Sequence, residues 1–331
     1  MKGNIIPPLI TDTPAGISIY SVTCQAPHHH EDFLEIIYCF KGPVNISTRS
    51  QQMTINDGDI ISCDPYDIHW MVADNKNMLV SFYFDLRSPI FNKPHLEKLY
   101  FMCEPKAVLE EKQAQLPDLK RLLLTMLYFY CFPHPQLATT EMVTTFSKKI
   151  IQAMLNHFHY FYYLAGSAGY TDEMKDRFER IIIFIEDNYS KKITLGKLCQ
   201  MEYFNYKYLS HFFKKTSRAG FSKFLNDIRT YKATALLLDT DKNISDIAYE
   251  TGFSAPAYFY KVFKLWHDGT TPHQYRKMLR SLTEKSKEDV RYDILDKKEE
   301  LEHFISFYFA QLQVPQLWRM PFVPFTIPYP V

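Results

Sequence analysis

Residues 244–264 read Ile244-Ser-Asp-Ile-Ala-Tyr-Glu-Thr-Gly-Phe253-Ser-Ala-Pro-Ala-Tyr-Phe-Tyr-Lys-Val-Phe-Lys264, and this stretch decides the fold of the last third of the chain. Apolar residues recur at helical spacing on both sides of Gly252, which marks a turn. Ser254 is a favourable N-cap for the second helix, and Pro256 suits its first turn because that position needs no backbone N–H. The stretch therefore predicts two short helices joined by a tight turn, a helix-turn-helix motif.

The same pattern occurs earlier, in Leu195-Gly-Lys-Leu-Cys-Gln-Met-Glu-Tyr-Phe-Asn205-Tyr-Lys-Tyr-Leu-Ser-His-Phe-Phe-Lys214. Asn205 takes the N-cap position of its second helix. Between the motifs, Phe221–Asp239 has the apolar spacing of a single helix, which at 1.5 Å per residue spans roughly 28 Å. Because one repeat of DNA is ~34 Å long, such a spacer would place both second helices in successive major grooves on one face of a duplex.

Each predicted recognition helix keeps its apolar residues on one face and leaves the other face free for DNA. The free faces hold Lys207, Ser210, His211 and Lys214 in the first helix, and Ala257, Tyr260, Lys261 and Lys264 in the second. Such side chains can reach base edges and phosphates in a major groove. Arg229 and Lys232 on the spacer add positive charge for phosphate contact. The alternative interpretation is that these are ordinary solvated surface residues.

The charge distribution agrees with a nucleic-acid partner for one part of the chain. The net charge is only +1 overall, but residues 191–280 carry +9, residues 1–190 carry −6 and residues 281–331 carry −2. A basic domain beside acidic ones is expected when only that domain contacts phosphates.

The six cysteines include no C-x-x-C pair, and we find neither a secretory leader nor an apolar run long enough to cross a membrane. These features favour a soluble cytoplasmic protein with reduced thiols and no membrane contact.

Residues 15–90 contain short alternating or β-branched runs separated by turn signals, and this predicts a small barrel or sandwich. The runs are Ile17–Val22, Phe33–Phe40, Val44–Thr48, Met53–Ile55, Ile60–Cys63 and Met78–Phe84. Two helices follow, Leu119–Tyr130 and Glu141–Tyr163. The second carries an apolar stripe that includes Val143, Phe146, Ile150 and Phe161, which is a packing face against the barrel, a dimer seam, or both.

We therefore expect a multidomain α+β chain. Residues 1–95 form a ligand-sensing β-barrel, 96–165 a helical linker or dimerisation segment, and 172–280 an all-α domain with tandem helix-turn-helix motifs. Gly166-Ser-Ala-Gly169 is the predicted flexible linker before that domain. Residues 281–331 are an extension that begins as a charged helix, Glu284–Gln313, and ends in a Pro-rich aromatic stretch of unknown role.

Residues 177–280 resemble the AraC/XylS family of bacterial transcription regulators. The resemblance rests on Tyr208-Leu-Ser, Phe213-Lys, Gly252-Phe-Ser, Phe263-Lys and Gly269-Thr-Thr-Pro-His-Gln-Tyr-Arg276. By position it implies that the DNA-facing residues are Lys207, Ser210, His211, Pro256, Ala257, Tyr260 and Lys261. His211 and Lys261 stand where the family often has Arg, which leaves the base preference open. The resemblance further implies a homodimeric activator on double-stranded DNA, an effector that is often a sugar, control of carbohydrate genes, and room for contact with RNA polymerase.

Residues 28–69 resemble a cupin barrel. His28-His-His30, Glu35 and Gly42 fit the first cupin motif, and Gly58–His69 approximates the second with altered spacing around Pro65. In metal cupins the ligands correspond to His28, His30, Glu35 and His69, a set that suits Fe, Mn, Ni or Zn. In AraC-type sensor barrels the same positions face a sugar pocket without metal. A purely structural role for the histidines is the third alternative.

We expect the metal-free role, with no cofactor and no catalytic residues. The candidate effector site is His28, His30, Glu35, Tyr38, His69 and Trp70, whose aromatic members could stack on a sugar. The favoured function is a ligand-responsive, sequence-specific transcription regulator that is not an enzyme. The runner-up is a cupin metalloenzyme fused to a DNA-binding module. A DNA-alkylation repair protein is a third alternative, but no cysteine stands in a recognisable activated motif.

Overall fold

The computed structural model describes residues 3–48, 52–103, 114–133, 136–159, 171–216, 220–294 and 296–313. Its strands are β1 Ala15–Ser21, β2 Phe33–Lys41, β3 Val44–Ser47, β4 Gln52–Ile55, β5 Ile60–Cys63, β6 Trp70–Val72, β7 Met78–Asp85 and β8 Val290–Arg291. They form two antiparallel sheets of order β5-β2-β7-β1-β8 and β4-β3-β6. The expected β-rich domain is therefore confirmed, but its described strands form two packed sheets and not a closed barrel.

Both sides of β2 are buried, and each side packs into a different core. Ile36 and Tyr38 point into a core shared with the helices that cover the five-stranded sheet. Ile37 and Cys39 point into the core between the two sheets. Because successive side chains of a strand alternate between faces, residues an odd number of positions apart on β2 belong to opposite cores.

Two helices, α1 Leu116–Cys131 and α2 Thr139–Ala153, cover the outer face of the five-stranded sheet, and a π-turn, Met154–Phe158, extends α2. The predicted stripe on α2 is packed inside the chain: Val143, Phe146 and Ile150 are all buried in the core with α1 and β1. The stripe is therefore a packing face, and these residues offer no seam to a second chain. Phe161 and the predicted Gly166–Gly169 linker lie outside the described residues.

The C-terminal domain consists of α3 Asp172–Asn188, α4 Leu195–Glu202, α5 Tyr206–Thr216, α6 Phe221–Asp239, α7 Ile244–Glu250, α8 Pro256–Trp266 and α9 Pro272–Lys285. The helix-turn-helix pairs α4/α5 and α7/α8 are confirmed. Each pair has its own core, and α6 contributes residues to both.

The caps of the two recognition helices differ from each other. Asn205 caps α5 as expected, because its Oδ1 accepts a hydrogen bond from the Tyr208 backbone N–H at 2.7 Å. The N-cap of α8 is Ala255, which makes no side-chain cap bond, so the expectation for Ser254 was wrong by one residue. Pro256 as the first helical residue defines this boundary, because the residue before a proline is driven to an extended conformation.

Gly252 closes the turn between α7 and α8 with a φ of +88°. A Cβ at this position would lie 2.6 Å from the Tyr189 carbonyl oxygen and 2.8 Å from that of Ser190. Only glycine avoids both the unfavourable φ and the clash. Gly252 therefore lets the second motif pack closely against the loop that precedes the first.

The C-terminal extension folds back onto the β-domain. The prediction of one continuous helix from Glu284 was wrong: α9 ends at Lys285, β8 pairs with β1, and α10 follows at Lys298–Gln311. Tyr292 and Ile294 both pack on the core between the five-stranded sheet and its covering helices. They are two positions apart, and side chains at this spacing share a face in an extended chain but not in a helix. Tyr308 of α10 donates a hydrogen bond to the Phe40 carbonyl at 2.9 Å. The Pro-rich stretch lies outside the described residues.

The C-terminal domain packs against the β-domain. Ile68 and Trp70 belong to the same buried cluster as Leu237 of α6. The Tyr231 hydroxyl of α6 donates to the Pro65 carbonyl, and Lys93 forms an ion pair of 2.7 Å with Glu179. Among the helices described, none is both long and apolar enough to cross a membrane.

Candidate effector cavity and DNA-binding face

A cavity of about 250 Å³ lies beside β1 and β7. Four parts of the chain line it: Ile5, Pro7 and Pro8 from the N-terminal arm; Ser18, Tyr20 and Tyr83 from the sheet; Gln25, Ala26, His28 and His30; and Ser286, Lys287, Glu288, Asp289 and Arg291 from the extension. Most of these residues are polar or charged. The cavity therefore suits a small ligand that forms many hydrogen bonds.

His28 and His30 line this cavity, Glu35 and His69 lie behind them and do not line it, and all four are buried. The backbones of His28 and His69 pair as antiparallel strands through two hydrogen bonds of 2.9 and 3.0 Å. His30 is two positions after His28 and so lies on the same face. Glu35 enters from β2. The potential ligand atoms of the four side chains lie within 4.8 Å of one another.

The orientation of each imidazole is fixed by a backbone carbonyl. Nδ1 of His28 lies 3.0 Å from the Ala26 oxygen, Nδ1 of His30 lies 2.5 Å from the Ile5 oxygen, and Nδ1 of His69 lies 2.8 Å from the Asp67 oxygen. A carbonyl oxygen only accepts hydrogen bonds, so each Nδ1 carries the proton. Each Nε2 is therefore the atom left for Glu35, a ligand or a metal ion.

Glu35 Oε2 lies 3.2 Å from Nε2 of His30 and 3.0 Å from Nε2 of His69. The contact with His69 is an ion pair. Burial opposes ionisation of Glu35, but the two imidazoles outweigh it and hold the pKa of this carboxyl well below its usual range. Burial likewise opposes protonation of His69, yet Glu35 raises the pKa of this imidazole. The cluster therefore holds a carboxylate stabilised by protonated histidine.

His28 behaves differently from its neighbours. Burial, followed by the positive charge that His69 and His30 can carry, lowers the pKa of His28 well below its usual range. It is therefore a neutral imidazole whose Nε2 accepts hydrogen bonds. Its ring lies 4.2 Å from that of His69, centroid to centroid.

The same four residues fit a divalent transition-metal ion. Nitrogen ligands held by Nδ1–H···O=C bonds, together with one carboxylate, are the usual surroundings of Zn²⁺, Fe²⁺, Mn²⁺ or Ni²⁺ in proteins. His28, His30, Glu35 and His69 would bind the ion, which would act as a Lewis acid on a bound oxygen. The ion would compete with protons for the Nε2 atoms.

Of the six predicted effector residues, His28 and His30 line the cavity, Glu35 and His69 lie behind them, and two lie elsewhere. Tyr38 is three positions from Glu35 on β2, so it points to the opposite face, where it packs against Phe40 and Tyr308. Trp70 follows His69 and so points away from the cavity, into the cluster shared with α6. Strand alternation removes both from the cavity, and Tyr20 and Tyr83 line it instead.

Several cavity residues were not predicted. Ser18 and Tyr20 alternate with the core residues Ile17 and Ile19, and this alternation marks a polar inner face of β1 that the sequence does show. The contribution of Asp289 has no comparable local signal, because it depends on the extension folding back over β1.

The predicted DNA-facing residues lie on the open side of the recognition helices. On α5, Lys207, His211 and Lys214 are exposed and Ser210 is half-buried; on α8, Ala257, Lys261 and Lys264 are exposed and Pro256 and Tyr260 are half-buried. On the opposite faces Phe213 and Phe263 are fully buried. Among the described residues, no carboxylate forms an ion pair with Lys207, Lys214 or Lys261. Their charges are therefore available to phosphates.

Arg229 and Lys232 have structural roles on α6, contrary to expectation. Arg229 donates from Nε to the Tyr189 carbonyl and from Nη2 to the Lys191 carbonyl, both at 2.8 Å. Lys232 forms an ion pair of 2.9 Å with the buried Glu186. Both cations are already used to hold α6 in place, so they are poorly placed for phosphate contact.

Two known families match the chain. Residues 21–124 match the family described as an AraC-like ligand binding domain, and residues 198–278 match a helix-turn-helix domain. The chain belongs to the AraC family of transcriptional regulators. This membership confirms the resemblance seen in the sequence, and the order of the two domains agrees with the observed architecture.

Relatives of this AraC-family chain include longer proteins. It is 26% identical over 286 residues to an uncharacterized HTH-type transcriptional regulator of Staphylococcus aureus, a match that covers 82% of this chain and 36% of the relative. It is also 35% identical over 109 residues to the Escherichia coli regulator YijO. This match covers 33% of this chain and 38% of YijO. The chain thus spans little more than a third of the length of these relatives.

Solved structures match the C-terminal domain or most of the chain. The C-terminal domain of the response regulator yesN from Fusobacterium nucleatum is 35% identical, and the match covers 30% of this chain and 98% of that one with a TM-score of 0.29. ToxT from Vibrio cholerae is 16% identical, and its match covers 80% and 98% of the two chains with a TM-score of 0.43.

Proposed function

We propose that this AraC-family protein binds specific sites on double-stranded DNA and changes its DNA affinity when a sugar binds in the cavity. It acts in the cytoplasm as a homodimeric activator of carbohydrate genes and is not an enzyme. The proposal rests on the segment His28-His-His30, whose alternate side chains point to opposite sides. His28 and His30 line the cavity, whereas His29 contacts Asp239 at the end of α6.

The DNA-binding part rests on the two open recognition helices. α6 has 19 residues, so it separates the motifs by roughly 28 Å at 1.5 Å per residue. This length is close to the ~34 Å repeat of DNA. Lys207, Lys214 and Lys261 are exposed beside the predicted base-reading positions. Two insertions in neighbouring major grooves would explain why the chain carries the motif twice.

The sugar-binding part rests on the size and chemistry of the cavity. A volume of about 250 Å³ lies just below the range of about 300–1,000 Å³ that is typical of ligand pockets. Imidazole, carboxylate and hydroxyl groups around it offer both donors and acceptors, while the Tyr20 and Tyr83 rings offer apolar surface. A monosaccharide combines many hydroxyl groups with apolar C–H faces and matches both kinds of wall.

Coupling follows from the strand geometry of residues 28–30. A ligand that pulls on His28 or His30 changes the position of the intervening backbone, and His29 transmits this to Asp239. Binding shifts the protein between two arrangements when the sugar has different affinity for them. By the same linkage, DNA changes the affinity for sugar by an equal factor.

The test combines thermal-shift screening with DNA binding. A panel of pentoses and hexoses should contain one that stabilises the wild type but not His30→Ala, and the same sugar should change affinity for promoter DNA. Retention of the full stabilisation by both His30→Ala and Glu35→Ala would place the effector elsewhere.

A metal-dependent enzyme fused to a DNA-binding module is the second candidate. The observation that favours it is the convergence of three Nε2 atoms and a carboxylate, with each Nδ1 fixed by a carbonyl. The metal content of the purified protein, considered in the Discussion, separates the two candidates.

A further inference from the structure

We propose that the C-terminal extension forms part of the effector site, and that Asp289 and Gln25 together bind two neighbouring hydroxyl groups of the sugar. This inference rests on the proposed function. It gives a role to residues 286–291, which lie beyond the segments that match the two known families.

The extension is fixed to the β-domain by backbone hydrogen bonds. The Lys287 N–H donates to the Cys24 carbonyl, and the Tyr292 N–H donates to the Ile19 carbonyl, both at 2.8 Å. Between them, Arg291 pairs in register with Tyr20 of β1. Backbone pairing of this kind defines the position of each side chain along the strand. Asp289 is therefore held at the cavity wall by main-chain contacts on both sides.

Asp289 forms a polar pair with Gln25 across the cavity wall. Nε2 of Gln25 donates to Oδ2 of Asp289 at 2.8 Å. The two remaining oxygens, Oε1 of Gln25 and Oδ1 of Asp289, are buried and have no hydrogen-bond partner among the described residues. A buried acceptor without a donor is unfavourable. Both side chains line the cavity, so a rotation that turns these oxygens towards a ligand with two donors would satisfy both acceptors.

Two acceptors side by side suit two donors that are themselves neighbours. Hydroxyl groups on adjacent carbons of a sugar meet this condition. Asp289 is half-buried and has lost part of its hydration, which raises the pKa of this carboxyl. Hydrogen bonds from sugar hydroxyl groups replace the water that burial removed.

The extension also places the effector beside the DNA-binding domain along the chain. α9 belongs to the core of the second motif through Tyr275 and Leu279, and it ends at Lys285. The next residue, Ser286, already lines the cavity. A sugar held by Asp289 thus contacts the chain directly after the last helix of the DNA-binding domain, a connection independent of His29 and Asp239.

The test is calorimetric titration of the full chain with the pentose and hexose panel, followed by deoxy analogues of the sugar that binds best. The loss of a hydrogen bond to a charged group corresponds to a fall in affinity of about tenfold. We expect Asp289→Ala to bind that sugar about tenfold more weakly and to stop distinguishing it from one deoxy analogue that the wild type rejects. Glu299→Gln, an exposed carboxyl of α10 outside the cavity, is the matched control and should bind as the wild type does.

Two further variants cover the case in which Asp289→Ala unfolds. Asp289→Asn keeps the size of the side chain, and Gln25→Ala removes the second acceptor without changing the extension. If all folded variants keep wild-type affinity and discrimination while His30→Ala loses the sugar, the cavity stands but the extension has no part in binding. If no sugar binds the wild type, the sugar assignment fails and this inference fails with it.

Discussion

Nε2 of His29 lies 2.8 Å from Oδ2 of Asp239, the last residue of α6. His29 is fully buried, and its neighbours on either side line the effector cavity. The other carboxylate oxygen of Asp239 accepts a hydrogen bond from the Gly3 N–H at 2.8 Å. One side chain of the spacer helix is thus in contact with both the cavity wall and the N-terminal arm.

Replacement of Asp239 by alanine should uncouple the sugar from DNA. His29 and the Gly3 N–H would lose their acceptor, at a cost of about 1–3 kcal/mol for buried groups left unsatisfied. We expect the ratio of operator affinities with and without sugar to fall towards one, measured by fluorescence anisotropy. Asp241→Ala is the control, since this exposed carboxyl forms an ion pair with the exposed Arg280. An unchanged ratio in Asp239→Ala would show that coupling takes another route.

Lys207→Ala and Lys261→Ala should each weaken DNA binding. Each removes one cation from an open recognition helix, and the dependence of log K on log salt should fall by about one unit for each phosphate that the variant no longer neutralises. Gel shifts at several salt concentrations measure both effects. Lys76→Ala, which removes an exposed lysine of the β-domain, should leave the affinity and its salt dependence unchanged. Wild-type behaviour of both recognition-helix variants would refute the assignment of these faces.

Gly252→Ala should destabilise the DNA-binding domain more than Gly269→Ala. Both glycines have a φ close to +88°, so both substitutions introduce backbone strain of about 1–3 kcal/mol. Only at Gly252 would the new Cβ also meet backbone, at 2.6 Å from the Tyr189 oxygen; at Gly269 nothing lies within 4 Å. Urea unfolding of the two variants gives the difference. Equal losses of stability would mean that the backbone shifts to relieve the clash with Tyr189 at no further cost.

Metal content separates the two candidate functions. We expect the purified protein to hold Fe, Mn, Ni and Zn well below stoichiometric amounts, because Glu35 is already paired with His30 at 3.2 Å and with His69 at 3.0 Å. Elemental analysis by mass spectrometry measures this directly. A near-stoichiometric metal that disappears in the His28→Ala/His30→Ala double variant would favour the metalloenzyme instead.

The sequence predicts well those elements whose signals are local. α6 begins and ends where expected, Phe221–Asp239, because its apolar residues repeat without interruption. His28, His30, Glu35 and His69 converge as the motif resemblance implied. Six of the seven strands between residues 15 and 85 are also close to their expected bounds, since alternation and turn residues mark them, whereas β6, Trp70–Val72, was not predicted.

Features that depend on distant parts of the chain were not predictable in this way. Tyr38 and Trp70 are aromatic neighbours of site residues in sequence, but the pleat of the strands turns them away from the cavity. The charged composition after Lys285 favours a helix, whereas pairing with β1 makes residues 290–291 a strand. Asp289 reaches the cavity through this pairing, and its hydrogen bond with Gln25 joins residues 264 positions apart.

Selection of random double-stranded DNA by the full chain, followed by sequencing with and without the sugar panel, tests the central claim most directly. We predict an enriched site with two conserved segments whose centres lie about 10 base pairs apart, one turn of the duplex. One sugar should change the degree of enrichment, and the Lys207→Ala/Lys261→Ala double variant should lose it. Recovery of no preferred sequence in any condition would contradict the assignment of this chain as a sequence-specific, ligand-responsive regulator.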